Sequence, residues 1–309
     1  MELGSGMRYA DLDFQGVPSV IATAVLEAPG GVALVDPGPP SCLPALRRSL
    51  DQVGIGIGDI RTLLLTHIHL DHAGASGTLL RENPDITVYV HERGAKHMID
   101  PSRLLESASR LYGDQMERLW GHIEPVPAGS VRTLVGGERL EAAGRTLDVA
   151  YTPGHAWHHV SYFDAGSGMA FVGDTGGVRI GTSTFIMPPT PPPEIELDTW
   201  RASAARILEW RPETLFLTHF GPSTSPAAHL HEMLERLDRA AGFARAALQA
   251  GGTDAEQAAA FQREMRAELE HHMAPGAVRS YELAVPLDHC FMGLARYWRK
   301  RDAAPQALA

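Results

Sequence analysis

The sequence predicts an α/β fold of layered mixed sheets and helices, followed by a helical extension. Three observations point to it. Short apolar, β-branched runs alternate with helical spacings through the first half of the chain, and further strand-like runs follow. Several of those runs stop abruptly at histidine or aspartate. Beyond residue 225 the chain becomes rich in Ala, Leu, Glu and Arg, the composition of packed helices.

In order, Ser19–Glu27 and Val32–Asp36 read as strands joined by the turn Ala28-Pro29-Gly30-Gly31. Asp36-Pro37-Gly38-Pro39-Pro40 breaks the chain, and Leu43, Leu46, Leu50 and Val53 give Cys42–Val53 a helical stripe. Ile60–Leu65 is a strand, Ala73–Glu82 a helix and Ile86–His91 a strand. Glu92–Trp120 reads as helical, with Pro101 opening a second helix. Strands follow at Val131–Val135, Thr146–Tyr151, Val160–Phe163, Met169–Val172 and Thr214–Leu217. Between the last two lies Ile180–Glu196, whose prolines restrict the backbone to a stiff, extended loop. Ala227–Ala250, Asp254–Met273 and Pro286–Arg301 read as helices, and Asp302–Ala309 as a frayed tail. The expected organisation is a catalytic domain over residues 1–224 and a helical extension or cap over 225–309.

Composition narrows the classes of function. The 309 residues, 44% of them hydrophobic, suffice for a sizeable core. A net charge of -10 without a Lys/Arg-rich run disfavours a phosphate backbone, so nucleic acid is not expected as a partner. Two cysteines, Cys42 and Cys290, are too few for a disulfide framework and suit a reduced compartment. The first sixteen residues lack the pattern of a secretory signal, and no apolar run reaches the ~18 residues of a membrane span. The expectation is a soluble, cytoplasmic protein acting on a small molecule, with no membrane partner.

Chemistry is concentrated in Thr66-His67-Ile68-His69-Leu70-Asp71-His72, directly after the strand at Ile60–Leu65. Three imidazoles and a carboxylate within six residues are hard to explain as packing. In a tight loop, neighbours cannot all face one ion, but alternate residues can converge on one and the remainder on a second. Thr152-Pro153-Gly154-His155, Gly173-Asp174 and Thr218-His219 repeat the strand-then-ligand form. The seven nitrogen and oxygen donors suit zinc and also allow manganese or iron.

The ordered set His67, His69, Asp71, His72, His155, Asp174 and His219 resembles that of the metallo-β-lactamase fold hydrolases, which include glyoxalase II and the acyl-homoserine lactonases. The resemblance covers roughly residues 17–222. It implies a four-layer αβ/βα sandwich with the site at the edge between two sheets. It also implies that His67, His69 and His155 hold one metal, that Asp71, His72 and His219 hold a second, and that Asp174 bridges them. Asp36 matches the family aspartate that steadies the histidine loop, and His159 matches a structural histidine. His158 stands where the family pattern usually has Gly, and is either a pocket residue or a hydrogen-bonded structural one.

The implied reaction is hydrolysis of an ester, lactone or thioester by a hydroxide bridging two divalent ions, most simply Zn2+, with Mn2+ or Fe2+ as alternatives. Asp71 is the candidate proton relay. Asp174 argues against β-lactam hydrolysis, because lactamases with this histidine pattern typically lack the bridging aspartate. Two alternatives remain: a mononuclear-iron oxidoreductase resembling persulfide dioxygenases, on His67, His155 and Asp174, and a small-molecule phosphodiesterase. Trp157, His158, Phe185 and Met187 are the expected substrate-pocket residues, with Tyr112, Trp120 and Ile186 also apolar enough to contribute. Glu106–Trp120 and the Pro-rich loop are candidates for a lid. His229, His231, His271, His272 and His289 read as solvated or packing residues. A homodimer through the extension is a further expectation.

Overall fold

The computed structural model describes residues 1–181 and 183–303. Two sheets face each other. The first contains β1 (Glu2–Gly4), β2 (Met7–Asp11), β3 (Ala22–Ala28), β4 (Gly31–Val35), β5 (Ile60–Leu64), β6 (Thr87–His91) and β7 (Val131–Leu134), ordered as in the chain. The second contains β8 (Arg139–Ala142), β9 (Arg145–Tyr151), β10 (Val160–Asp164), β11 (Met169–Phe171), β12 (Thr214–Leu217) and β13 (Gly221–Ser223), in the order β13-β12-β11-β10-β9-β8. Helices α1 (Leu43–Asp51), α2 (Leu70–Ala73), α3 (Ser76–Glu82), α4 (Glu92–Ile99), α5 (Ser102–Tyr112) and α6 (Met116–Trp120) belong to the first half, and α7 (Leu197–Glu209) precedes β12. The chain then closes with α8 (Pro226–Gln249), α9 (Asp254–His272), α10 (Pro275–Ala284) and α11 (Leu287–Ala303). This is the expected α/β sandwich with a C-terminal helical extension.

Alternation along the strands explains the layers. Ala33 and Val35 of β4, Leu64 of β5, Val149 of β9, Tyr162 of β10 and Phe216 of β12 meet between the sheets. Their neighbours Leu34 and Leu63 face the helices of the first half, while Phe163, Leu215 and Leu217 face Ala204 and Ile207 of α7 and Leu230 of α8. With both faces covered, these strands read as continuous apolar runs rather than alternating ones.

Strand direction then places the chemistry. β4, β5, β6 and β7 run parallel, so their C-terminal ends share one edge. β10 reverses between β9 and β11, and β12 is parallel to β11, so β9, β11 and β12 also end together. Every motif read in the sequence leaves one of these ends.

The extension is continuous with the core. Met233, Leu237, Phe261 and Tyr281 share a buried cluster with Val178, Ile180, Phe185 and Ile186. The Tyr281 hydroxyl donates to Phe185 O at 2.5 Å and accepts from Ile180 N–H at 3.1 Å. Cys42 and Cys290 are both buried and free. Among the described residues, no helix is long and apolar enough to cross a membrane. Of the tail expected to fray, Asp302 and Ala303 continue α11, and 304–309 lie outside the described residues.

Candidate metal centre and its cavity

The donors gather into two groups. His67, His69, His155 and Asp174 offer ligand atoms within 4.8 Å of one another, and so do Asp71, His72 and His219. In the first group, His69 Nδ1 lies 3.0 Å from His67 Nε2 and 2.9 Å from His155 Nε2. In the second, His219 Nε2 lies 3.2 Å from Asp71 Oδ2. Asp174 stands between them: Oδ2 is 3.3 Å from His155 Nε2, while Oδ1 is 3.3 Å from His72 Nε2 and 3.7 Å from His219 Nε2.

The outward nitrogens fix how the rings present themselves. His155 Nδ1 lies 2.9 Å from Pro189 O, His219 Nδ1 2.7 Å from Val20 O, and His72 Nδ1 2.8 Å from Asp36 Oδ2. His67 Nδ1 lies 3.1 Å from Thr66 Oγ1, which itself donates to Asp36. A proton held on the outer nitrogen leaves the inner Nε2 of a neutral ring as the atom that can ligate a cation.

Asp36 organises this edge. It follows β4 in a left-handed backbone conformation (φ 51°) and is fully buried. Its carboxylate accepts from Thr66 N–H at 2.8 Å, Thr66 Oγ1 at 2.7 Å and Thr218 Oγ1 at 2.7 Å, besides meeting His72. It thus ties the histidine loop to the end of β12 in the opposite sheet, the steadying position expected for it. His159 lies outside both donor groups, with Nδ1 2.9 Å from Thr152 Oγ1 and 3.2 Å from Thr175 Oγ1. Two glycines are required by close approach: a Cβ on Gly154 would fall 2.4 Å from Trp200 Cα, and one on Gly173 2.5 Å from Thr66 Oγ1.

The electrostatics divide the same way. Burial and the neighbouring imidazole of His155 hold His69 down to about 3, and burial with His72, His69 and His155 holds His67 well below its ordinary value. Burial also works against a charge on His72, but the carboxylates of Asp174, Asp71 and Asp36 outweigh it and raise that imidazole well above normal. Burial pushes the Asp174 carboxyl up, yet His72 and His155 overcome it and draw it well below normal. His72 Nε2 and Asp174 Oδ1 are buried without a hydrogen-bond partner. Orphaned inward atoms in a cluster of nitrogen and oxygen donors are what a divalent cation satisfies, so the residues fit metal binding.

The sequence profile of the metallo-beta-lactamase superfamily matches residues 16–219, which hold β3 to β12 and every donor described above. The chain belongs to the metallo-beta-lactamase superfamily. It is 29% identical over 180 residues to the metallo-beta-lactamase fold-containing protein ST1585 of Sulfurisphaera tokodaii, an alignment spanning 56% of this chain and 66% of that one. It is 31% identical over 143 residues to a hydroxyacylglutathione hydrolase of Synechococcus, spanning 46% of this chain and 43% of that one. The chain therefore covers less than two thirds of the length of each. A Thermus thermophilus family member, TTHA1429, superposes with a TM-score of 0.72 at 22% identity, covering 98% of this chain and 96% of that chain, which shows the fold shared through the extension.

A cavity of ≈ 620 Å³ opens onto His69, Asp71, His155 and Asp174. Trp157 and His158 line it as expected. Trp157 N–H donates to Glu194 Oε2 at 2.9 Å, and His158 Nδ1 lies 3.4 Å from Ile68 N, so His158 is both a pocket residue and a hydrogen-bonded one. Tyr112, Trp120 and Pro191–Pro193 also form wall, so both segments considered as a lid border the cavity.

Phe185 and Met187 are a correction: neither reaches the wall. Phe185 is buried under the extension, with Tyr281 edge-on at 5.8 Å and the Arg236 guanidinium 3.8 Å over its ring. Met187 is fully buried and exchanges backbone hydrogen bonds of 2.8 Å with Val178. Both side chains are buried in the apolar cluster that the extension helices complete, and only from Pro189 does the loop turn to the site. Ile186 is likewise buried in that core.

His289, read as a packing residue, lines the cavity, with the Tyr112 ring edge-on at 5.0 Å and Nδ1 lacking a partner. Arg93, Lys96, His97 and Arg103, which no sequence motif marks, also stand in the wall. The one available signal was their clustering in an otherwise acidic chain.

Proposed function

We propose that this chain is a metal-dependent hydrolase of an ester, lactone or thioester, working with two divalent ions, most simply Zn2+. His67, His69 and His155 would hold one ion, Asp71, His72 and His219 the other, with Asp174 between them. The observation that carries the reading is the position of Asp174, whose two oxygens face the two donor groups separately. An intact second group, Asp71, His72 and His219, supports two ions over one. Hydrolysis of a thioester has added support from the aligned hydroxyacylglutathione hydrolase.

When bound, such ions would lower the pKa of coordinated water to about 7 and polarise a carbonyl oxygen. The chain's residues do the rest. Pro189 O, Val20 O and Asp36 keep His155, His219 and His72 oriented, and burial with neighbouring charge keeps His67 and His69 neutral at physiological pH. Trp157 and His158 line the cavity beside the donors. Asp71 is the donor most open to the cavity among the carboxylates, with 19% of its side chain exposed against 6% for Asp174. Its Oδ2 is turned to His219, so Oδ1 is the atom proposed to take a proton from the attacking water and return it to the leaving group.

Metal quantification combined with thioester, lactone, aryl ester and phosphodiester substrates tests the reading. Two zinc or manganese ions per chain with turnover of one carbonyl class are expected. One iron per chain with oxygen consumption overturns it, as does full dimetal occupancy without activity on any substrate. Asp71→Asn is expected to retain the fold and lose most turnover. Unchanged activity with intact metal content removes Asp71 from its role.

A further inference from the structure

One wall of the cavity carries a charge the reaction above does not use. Arg93 and Lys96 on α4, and Arg103 at the start of α5, fall within eleven residues and all border the cavity. Among the described residues, none of the three has a carboxylate within 4.0 Å, although the chain carries a net charge of -10. Arg110, further along α5 and outside the cavity, pairs with Glu106. Arg93 lies 5.6 Å over the Trp157 ring, which holds its guanidinium at the rim without neutralising it. His97, between them, is drawn below its ordinary value by burial and by the charges of Lys96 and Arg103. The acidic groups of the wall are already engaged: Asp71 and Asp174 belong to the donor groups, and Glu194 accepts from Trp157 N–H and lies 3.9 Å from His158 Nε2.

Below this rim the wall changes character. Arg93, Lys96 and Arg103 are exposed, whereas Leu104, Leu111, Tyr112 and Pro286 in the same lining are half-buried and Trp120 and Val285 are buried. A cavity with a donor cluster on its floor, apolar sides and a cationic rim selects for a molecule with the complementary order of groups.

We propose that the substrate has an apolar body and, at the end remote from the scissile carbonyl, an anionic group held by Arg93, Lys96 and Arg103. This rests on the hydrolase reading for its scissile bond, but the rim itself is a binding site for amphipathic anions. Carboxylate and phosphate share the required chemistry. Three cations that border one cavity without a carboxylate partner raise the local concentration of such an anion against the repulsion of the acidic surface.

Matched thioesters of one acyl group, with thiols ending in a neutral amide, a carboxylate or a phosphate, test it on the zinc-loaded protein. The double variant Lys96→Glu/Arg103→Glu is expected to raise KM for an anionic thioester about tenfold or more, with kcat and the neutral thioester unchanged. A rise confined to the phosphate or to the carboxylate identifies which anion the rim takes. Equal effects on neutral and anionic substrates, or none on any, overturn the proposal. Calorimetric binding of hexane-1-sulfonate against hexan-1-ol supplies a readout independent of turnover. The sulfonate is expected to bind more tightly than the alcohol to the wild type and to lose that advantage in the double variant. Lys96→Gln/Arg103→Gln, with an unchanged thermal midpoint, separates charge from misfolding. If no thioester, lactone, aryl ester or phosphodiester is hydrolysed but the sulfonate still discriminates, the hydrolase reading fails and the rim stands. Equal binding of sulfonate and alcohol by the wild type sinks the rim.

Discussion

The donor cluster and the cavity wall meet at His155, yet they are built differently. The donors sit beyond the ends of buried strands, with the rings of His67, His72, His155 and His219 fixed from behind by a carbonyl, a hydroxyl or Asp36. The wall is assembled from distant parts of the chain: α4 to α6, the proline loop and the α10–α11 corner. It is joined to the donors through Pro189 O on His155, and α11 rests on that loop where Gly293 meets Thr190 O. The donor cluster is therefore rigid by construction, whereas the wall is only as fixed as the packing of the extension. Chemistry is held by the sheets, and selection by helices.

The largest effect that would test this division is expected at Asp174. Asp174→Ala removes the carboxylate between the groups, and turnover should fall by on the order of 10³-fold, with lowered metal content and a native circular dichroism spectrum. Near-normal turnover would mean that the two groups do not act together. Next is Asp36→Ala, which leaves Thr66, Thr218 and His72 without their buried acceptor. A loss of about 3–5 kcal/mol in urea unfolding is expected, with metal affinity reduced about 10–100-fold. A loss under ~1 kcal/mol would show that the edge is not organised by this residue.

Acidification acts in opposite senses on two sets of buried histidines. In the metal-free protein, burial first, and neighbouring imidazoles, keep His67, His69, His158 and His159 below the ordinary histidine value, and His155 is also lowered. Groups with lowered folded values bind protons more readily once unfolded, so their stability contribution is lost as pH falls through about 6.5. His72 and His219, raised by their carboxylates despite burial, act in the opposite sense. With His91, His97 and His229 also lowered by burial, the lowered histidines outnumber the two raised ones, which predicts a net loss of a few kcal/mol (about 1 kcal/mol for each uncompensated histidine) between pH 7 and pH 5.5, read from urea midpoints after chelation. A midpoint that rises on acidification contradicts the assignment.

The smallest effect belongs to the wall. A Cβ on Gly293 would fall 2.0 Å from Thr190 O, so Gly293→Ala must push α11 off the proline loop. About 1–3 kcal/mol of destabilisation is expected, with a changed KM and a retained kcat. A changed kcat instead would show that the wall and the donors are not separable.

The same division explains what the sequence disclosed. The histidine loop, His155, Asp174 and His219 were legible because ligand chemistry allows few residue types and each follows an apolar strand. The sandwich was legible for the same reason, since strands covered on both faces read as continuous apolar runs. Other elements left weaker traces. β1, β2 and β8 are short and partly exposed, with polar residues that blur alternation. α7 follows the proline loop without a side-chain cap, and α10 begins at Pro275 after the break at Met273. Phe185 and Met187 were assigned to the pocket because apolar residues near a motif look alike whether they face a cavity or a core. Only the docking of the extension distinguishes the two, and no local pattern encodes that docking. His289 illustrates the converse, a residue on a helix face that long-range packing alone turns toward the site.

The hydrogen bond from Thr66 N–H to Asp36 has a consequence for how this loop breathes. A surface turn normally trades its amide protons with solvent within the time of small local openings. Here the Thr66 amide is sealed beneath a carboxylate that is also bound to Thr218 of the other sheet, so its release requires the sheets to part. Its deuterium uptake should be as slow as that of the β5 amides, and the histidine loop should therefore report the opening of the whole sandwich.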